Sequence, residues 1–163
     1  MKLAIIEDRP WIMMRMLSKI RDIIPKEEIS LIYYVNSARE ESEYEEQLRC
    51  KCKDLNVKFR KIQDDSFEDE MNKLYDDQDR IFFIDLILDD NSDFFEERVN
   101  VTFAMARKQD KRIWFYTTSG KYNISKIKKE FGDQYIPVID YDVEDDALVF
   151  QEDILEKILN KRI

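Results

Sequence analysis

Along this chain, short runs of branched and aromatic residues alternate with longer segments whose apolar residues recur at helical spacing. That alternation constrains the fold more than any other feature. Lys2 to Ile6 is the first apolar run, and Pro10 then suits the first turn of a helix. Met13, Met16, Leu17, Ile20 and Ile24 recur at three- and four-residue steps up to Pro25. Ile29 to Val35 reads as a second strand. Ser37 with Glu40 makes a capping-box pattern that opens a highly charged helix to about Leu55, with a thin stripe of Tyr44, Leu48, Cys52 and Leu55. Val57 to Ile62 alternates like a half-buried or edge strand, and Phe67, Met71, Leu74 and Tyr75 mark another helix. Arg80 to Leu88 contains Ile81-Phe82-Phe83-Ile84-Asp85, a buried strand that ends at an acid. Phe95, Val99, Phe103 and Ala106 mark the next helix. Ile113 to Thr117 is a further strand, and Gly120 permits a tight turn after it. A lysine-rich helix runs to about Phe131, Tyr135 to Ile139 is the last strand, and Ala147 to Ile163 is the last helix, with Phe150, Ile154, Leu155, Ile158 and Leu159 on one face.

Six strands alternating with six helices predict an α/β fold, a doubly wound parallel sheet of five to six strands with helices on both faces. No linker or repeat divides the chain, so one domain over residues 1–163 is expected. In such sheets the ligand site lies beyond the carboxyl ends of the strands, where the strand order reverses. Those ends read Glu7-Asp8, Asn36-Ser37, Gln63-Asp64, Asp85, Thr117-Thr118-Ser119 and Asp140.

Several chemistries are excluded before any motif is considered. The chain has no histidine, so Ser-His-Asp and Cys-His catalysis as usually built are absent, as are histidine metal sites. Cys50 and Cys52 are too few and too close for a disulfide framework and read as free thiols of a reducing cytoplasm. A net charge of -9 disfavours contact with nucleic acid or anionic lipid. Lys126, Lys128 and Lys129 are followed at once by Glu130 and Asp133, so they read as a solvated helix face. No apolar run reaches the length of a membrane span, and the run at the start breaks at Glu7-Asp8, too early for a signal-peptide core. A cytoplasmic protein is therefore expected.

The positive signal is three carboxylates at two strand ends. If the strand before Glu7-Asp8 neighbours the strand ending in Asp85, all three acids converge. Like charges that close raise one another's pKa unless a cation sits among them. A hard divalent ion with oxygen ligands, magnesium (Mg2+) first, resolves the clash.

These segments carry a resemblance. Ile5-Ile6-Glu7-Asp8-Arg9-Pro10 resembles the acidic pair after the first strand of the receiver domain of bacterial response regulators. Phe83-Ile84-Asp85-Leu86-Ile87-Leu88 is similar to its phosphoacceptor strand, and Ile113-Trp114-Phe115-Tyr116-Thr117-Thr118 to the strand that ends in the switch hydroxyl. The resemblance implies a flavodoxin-like fold, Glu7, Asp8, Asp85 and the backbone carbonyl of Ile87 as magnesium ligands, and Asp85 as phosphoacceptor. It further implies Thr117 as the switch hydroxyl and Thr118 at the small-residue position beside the phosphate. Partners implied are a histidine kinase or an output protein, with a homodimer through the last helices as a further expectation.

Two departures from the family stand out. Its lysine at the end of the last strand is missing, and the region reads Pro137-Val138-Ile139-Asp140-Tyr141-Asp142. Lys121, in the turn after Thr117, is the candidate stand-in. Asp8 and Asp85 are 77 positions apart, which leaves room for one extra strand–helix unit within about 29–75 and for the sheet order 3-2-1-4-5-6. Besides a working receiver, the residues leave open a degenerate receiver that acts only as a protein-interaction module, and a magnesium-dependent phosphoester hydrolase. Ser119-Gly120-Lys121 lacks the other residues of a phosphate loop, and Asp85-Leu86-Ile87 lacks the second aspartate of the phosphatase pattern. Trp11 follows the acidic pair closely and is a candidate for the rim of the site.

Overall fold

A computed structural model of the chain describes residues 1–35, 43–86, 99–117, 124–137, 139–142 and 147–160. Five parallel strands form its sheet: β1 (Lys2–Glu7), β2 (Glu28–Tyr34), β3 (Lys58–Ile62), β4 (Arg80–Asp85) and β5 (Ile113–Tyr116), in the spatial order β3-β2-β1-β4-β5. The helices are α1 (Pro10–Ile23), α2 (Glu43–Asp54), α3 (Phe67–Tyr75), α4 (Val99–Met105), α5 (Ile124–Phe131) and α6 (Glu152–Asn160). β1 and β4 are buried along nearly their whole length. A strand covered on both faces reads as a continuous apolar run, which is why both were conspicuous in the sequence. β3 is one of the two edge strands; its exposure alternates, and it carries Lys58, Arg60 and Lys61, charges of the kind that discourage pairing with another chain at an open edge.

Side chains alternate across the sheet and divide the core in two. Leu3, Ile5, Leu31, Ile81 and Phe83 pack under α1, α2 and α6, against Met13, Met16, Leu48 and Leu155. Ala4, Ile6, Ile32, Phe82, Ile84 and Phe115 pack under α3, α4 and α5, against Phe67, Met71, Val101 and Ile127. The sheet is therefore doubly wound. The winding reverses between β1 and β4, which pair in parallel with Ile6 opposite Ile84. At the amino end of the sheet, Tyr75 donates its hydroxyl to Asp110 Oδ2 at 2.5 Å, and the Arg112 guanidinium approaches the same oxygen to 2.8 Å, fastening α3 to the start of β5. Among the described residues, no helix is long and apolar enough to cross a membrane.

Among the described residues, the expected sixth strand of the sheet is not formed as such. Of these described residues, Tyr135 alone bridges Phe115, with the Ile136 amide donating to the Phe115 carbonyl at 2.7 Å. Ile139–Asp142 (β6) instead pairs in antiparallel with Ala147–Phe150 (β7), so the last helix begins at Glu152 and not at Ala147. A partner a few residues downstream costs little loop-closure entropy. The expected helical stripes need adjustment at two places. In α4, Asn100, Val101, Phe103 and Ala104 are buried, whereas Val99 and, just past the helix end, Ala106 are exposed. In α2, Tyr44 is exposed and Glu45 is buried, held by Arg49 and Lys61. The capping pattern of Ser37 and Glu40, Phe95 and the turn at Gly120 lie outside the described residues.

Candidate functional site

The parallel register of β1 and β4 sets Glu7 and Asp85 level at the carboxyl ends of adjacent strands. Alternation then puts Glu7 in line with Leu3 and Ile5, Asp85 with Ile81 and Phe83, and Tyr116 with Trp114, all on the face that α1 covers. Asp8 follows Glu7 in the turn to α1. One carboxylate oxygen from each of Glu7, Asp8 and Asp85 lies within 4.8 Å of the others. The three residues are 0%, 3% and 0% exposed.

Glu7 is held from three directions. Its Oε1 accepts the backbone amides of Asp8 at 3.0 Å and Arg9 at 3.1 Å, so the carboxylate folds back over the entry to α1. Its Oε2 accepts the phenol hydroxyl of Tyr116 at 2.9 Å. Burial pushes the Glu7 carboxyl well above its usual range, and the negative charges of Asp85 and then Asp8 push it further. Burial, followed by the charge of Glu7, likewise raises the Tyr116 phenol well above its ordinary value, so the hydroxyl stays a neutral donor at physiological pH. On the other side of Asp85, Asn100 of α4 donates its side-chain amide to the Asp85 backbone carbonyl and so fixes the end of β4.

A cluster with this charge and burial takes up either protons or a cation. Its donor set consists of oxygen alone, which suits magnesium or calcium and excludes the softer metals that favour nitrogen or sulfur. Each carboxylate oxygen has two lone pairs. Glu7 Oε1 spends both on amides, which leaves Oε2 as its point of contact with an ion. The residues present therefore fit a hard divalent cation.

Of the other residues singled out in the sequence, Thr117 lies directly after β5, one position beyond the Asp85–Tyr116 pair, and is buried. Trp11 sits in the first turn of α1 and is 41% exposed. Ile87, Thr118 and Lys121 lie outside the described residues, as do Ser119 and Gly120. Asp140 and Asp142 lie on β6, which pairs with β7 and not with the parallel sheet. Sequence reasoning missed Tyr116 and Asn100. Tyr116 left a signal: strand alternation places it on the same face as Asp85, and a phenol at a strand end seeks a polar partner. Asn100 left only a polar residue inside an apolar helix stripe.

No protein family, no curated protein and no solved structure matches this chain. The functional reading thus rests on the site itself.

Proposed function

We propose that this chain is a receiver-like signalling domain that accepts a phosphoryl group on Asp85 and passes its state on through protein contacts. The observation that carries the reading is the convergence of Glu7, Asp8 and Asp85 at the carboxyl ends of β1 and β4, where the winding of the sheet reverses. An Asp85 carboxylate oxygen attacks the phosphorus of the donor, and the bond from phosphorus to the donor's bridging oxygen breaks. That oxygen leaves with the electron pair, as acetate when the donor is acetyl phosphate. The product is an acyl phosphate, and the carboxylate needs no base to remove a proton. Glu7, Asp8, Asp85 and the Ile87 carbonyl would hold a magnesium ion, and that ion would supply positive charge for the phosphoryl oxygens. The protein's own part is positioning: Asn100 holds the Asp85 backbone, the amides of Asp8 and Arg9 hold Glu7, and the Thr117 hydroxyl answers the new charge. From a histidine kinase, the protein donor implied, the phosphorus–nitrogen bond of a phosphohistidine breaks instead and the imidazole nitrogen takes the electron pair; an output protein or a second copy of the chain is the receiving partner.

Incubation with magnesium and acetyl phosphate, followed by intact mass measurement, tests this. One phosphoryl adduct that requires magnesium and vanishes in Asp85→Asn supports the proposal. Its complete absence sinks it.

A second reading has its own support. Asp140 and Asp142 replace the lysine of the family, and they lie on a hairpin instead of a sixth sheet strand. These features favour an interaction module that no longer takes phosphate. Under that reading the mass experiment gives no adduct, and partner binding is the same for the wild type and Asp85→Asn.

A further inference from the structure

We infer that Tyr116 is a positioning residue of the acidic site, and that its hydroxyl sets the site's affinity for a divalent cation by fixing Glu7. The inference rests on the metal-binding part of the reading above. Tyr116 is fully buried, and its hydroxyl lies 2.9 Å from Glu7 Oε2 and 3.3 Å from the Ile6 carbonyl. A phenol has one proton to donate, and the carboxylate is the nearer acceptor as well as the more polar one. With Oε1 saturated by the amides of Asp8 and Arg9, the Tyr116 bond removes the last freedom of the carboxylate. The carboxylate of Glu7 is then fixed within the cluster it forms with Asp8 and Asp85. Magnesium demands a near-ideal octahedron and tolerates misplaced ligands poorly, so a fixed carboxylate matters more for it than for a larger cation.

The position of Tyr116 adds a second consequence. It is the last residue of β5, opposite Asp85 and immediately before Thr117. The hydroxyl reaches across β4 to the end of β1, so a single side chain ties the first acidic residue to the strand that carries the switch hydroxyl.

Calorimetric titration of magnesium into the wild type and Tyr116→Phe tests the inference, with near-ultraviolet difference absorption followed in the same titration. The phenylalanine keeps the ring and its packing, and thermal unfolding in chelator-treated buffer verifies the fold. Loss of a partner that orients a metal ligand weakens binding about 10–100-fold, and that loss is expected here. The wild type is expected to show a tyrosine difference band that saturates with magnesium and is missing in Tyr116→Phe. Affinity within twofold of the wild type, or an unchanged band in the variant, overturns the inference. Magnesium binding to the wild type with no tyrosine band at all overturns it too, whether or not the variant folds. Failure of the wild type to bind magnesium is a different result: it removes the metal site itself, and this inference with it.

Discussion

Replacing Asp85 with asparagine is expected to stabilise the metal-free protein. Asp85 is fully buried, and its carboxylate shares a space 4.8 Å across with those of Glu7 and Asp8. Two full charges at that separation repel by about 3–4 kcal/mol at an effective dielectric constant of about 20. The folded chain escapes part of this by keeping a proton on Glu7, whose pKa is raised by burial and by its neighbours. The expected net gain in Asp85→Asn is therefore smaller, about 1–3 kcal/mol at pH 7. For a chain of this length that corresponds to a rise of about 2–4 °C in unfolding midpoint per kcal/mol. The pH dependence follows from Glu7. A carboxyl whose folded pKa is raised contributes stability that is complete below its ordinary value near 4.5 and is lost as pH rises through the folded value. The wild type should thus lose stability on going from pH 4.5 toward neutrality, and the variant should lose less. Thermal unfolding in chelator-treated buffer across that range is the assay, followed by addition of magnesium, which should raise the wild-type midpoint and leave that of the variant in place. A variant less stable than the wild type at pH 7 would refute the reasoning. So would the same gain at pH 4, because the part that comes from the charge of Glu7 must shrink once that carboxyl is protonated.

Three further outcomes are expected from the surrounding scaffold. Asn100→Ala removes the donor to the buried Asp85 carbonyl and should cost about 1–3 kcal/mol in urea unfolding. Phe83→Ala empties a buried position between β4 and α1 and should cost about 3–5 kcal/mol in the same assay. Burial pushes the pKa of Asp110 up, but the Arg112 guanidinium and the Tyr75 hydroxyl outweigh it and hold the carboxyl at about 2. Its contribution is present above the ordinary value of 3.8 and is lost as pH falls toward 2, so Asp110→Asn should be less stable at neutral pH and should lack that part of the acid-unfolding slope.

The parts of the fold that were legible in the sequence are those in which burial on both faces leaves a continuous apolar run. β1, β2, β4 and β5 are such strands, and their order along the chain, with a helix after each, was enough to predict the doubly wound sheet and the meeting of Glu7-Asp8 with Asp85. The hairpin of β6 and β7 was not legible. Ala147–Phe150 joins without a break to the stripe of α6, and four apolar residues next to a helix carry no period of their own. α4 was misread in a similar way, because its buried face includes Asn100, whose reason for burial is a carbonyl fifteen residues earlier in the chain. Tyr116 belongs to a third kind. Its place in a strand was plain, but its bond to Glu7 spans 109 residues and is set by which strands are neighbours, so it emerges only from the three-dimensional order.

Charge balance is what separates the two readings of the site. Three carboxylates with one doubly charged cation leave one negative charge in a buried space. An acyl phosphate on Asp85 adds another, and in receivers a lysine at the end of the last strand offsets it. Here that stretch carries Asp140 and Asp142, on a hairpin that has left the sheet. Under the phosphoacceptor proposal, a phosphoryl group on Asp85 has to be held by a cation, by Thr117 and by backbone amides, with Lys121 the nearest lysine in sequence to Thr117. An acidic site stabilised mainly by its cation binds phosphate only while the cation is bound. Lowering magnesium should then shorten the lifetime of any adduct, and Lys121→Ala should shorten it further only if that side chain has taken over the role of the missing lysine. Lifetimes that do not respond to magnesium would place the stabilising charge elsewhere in the chain.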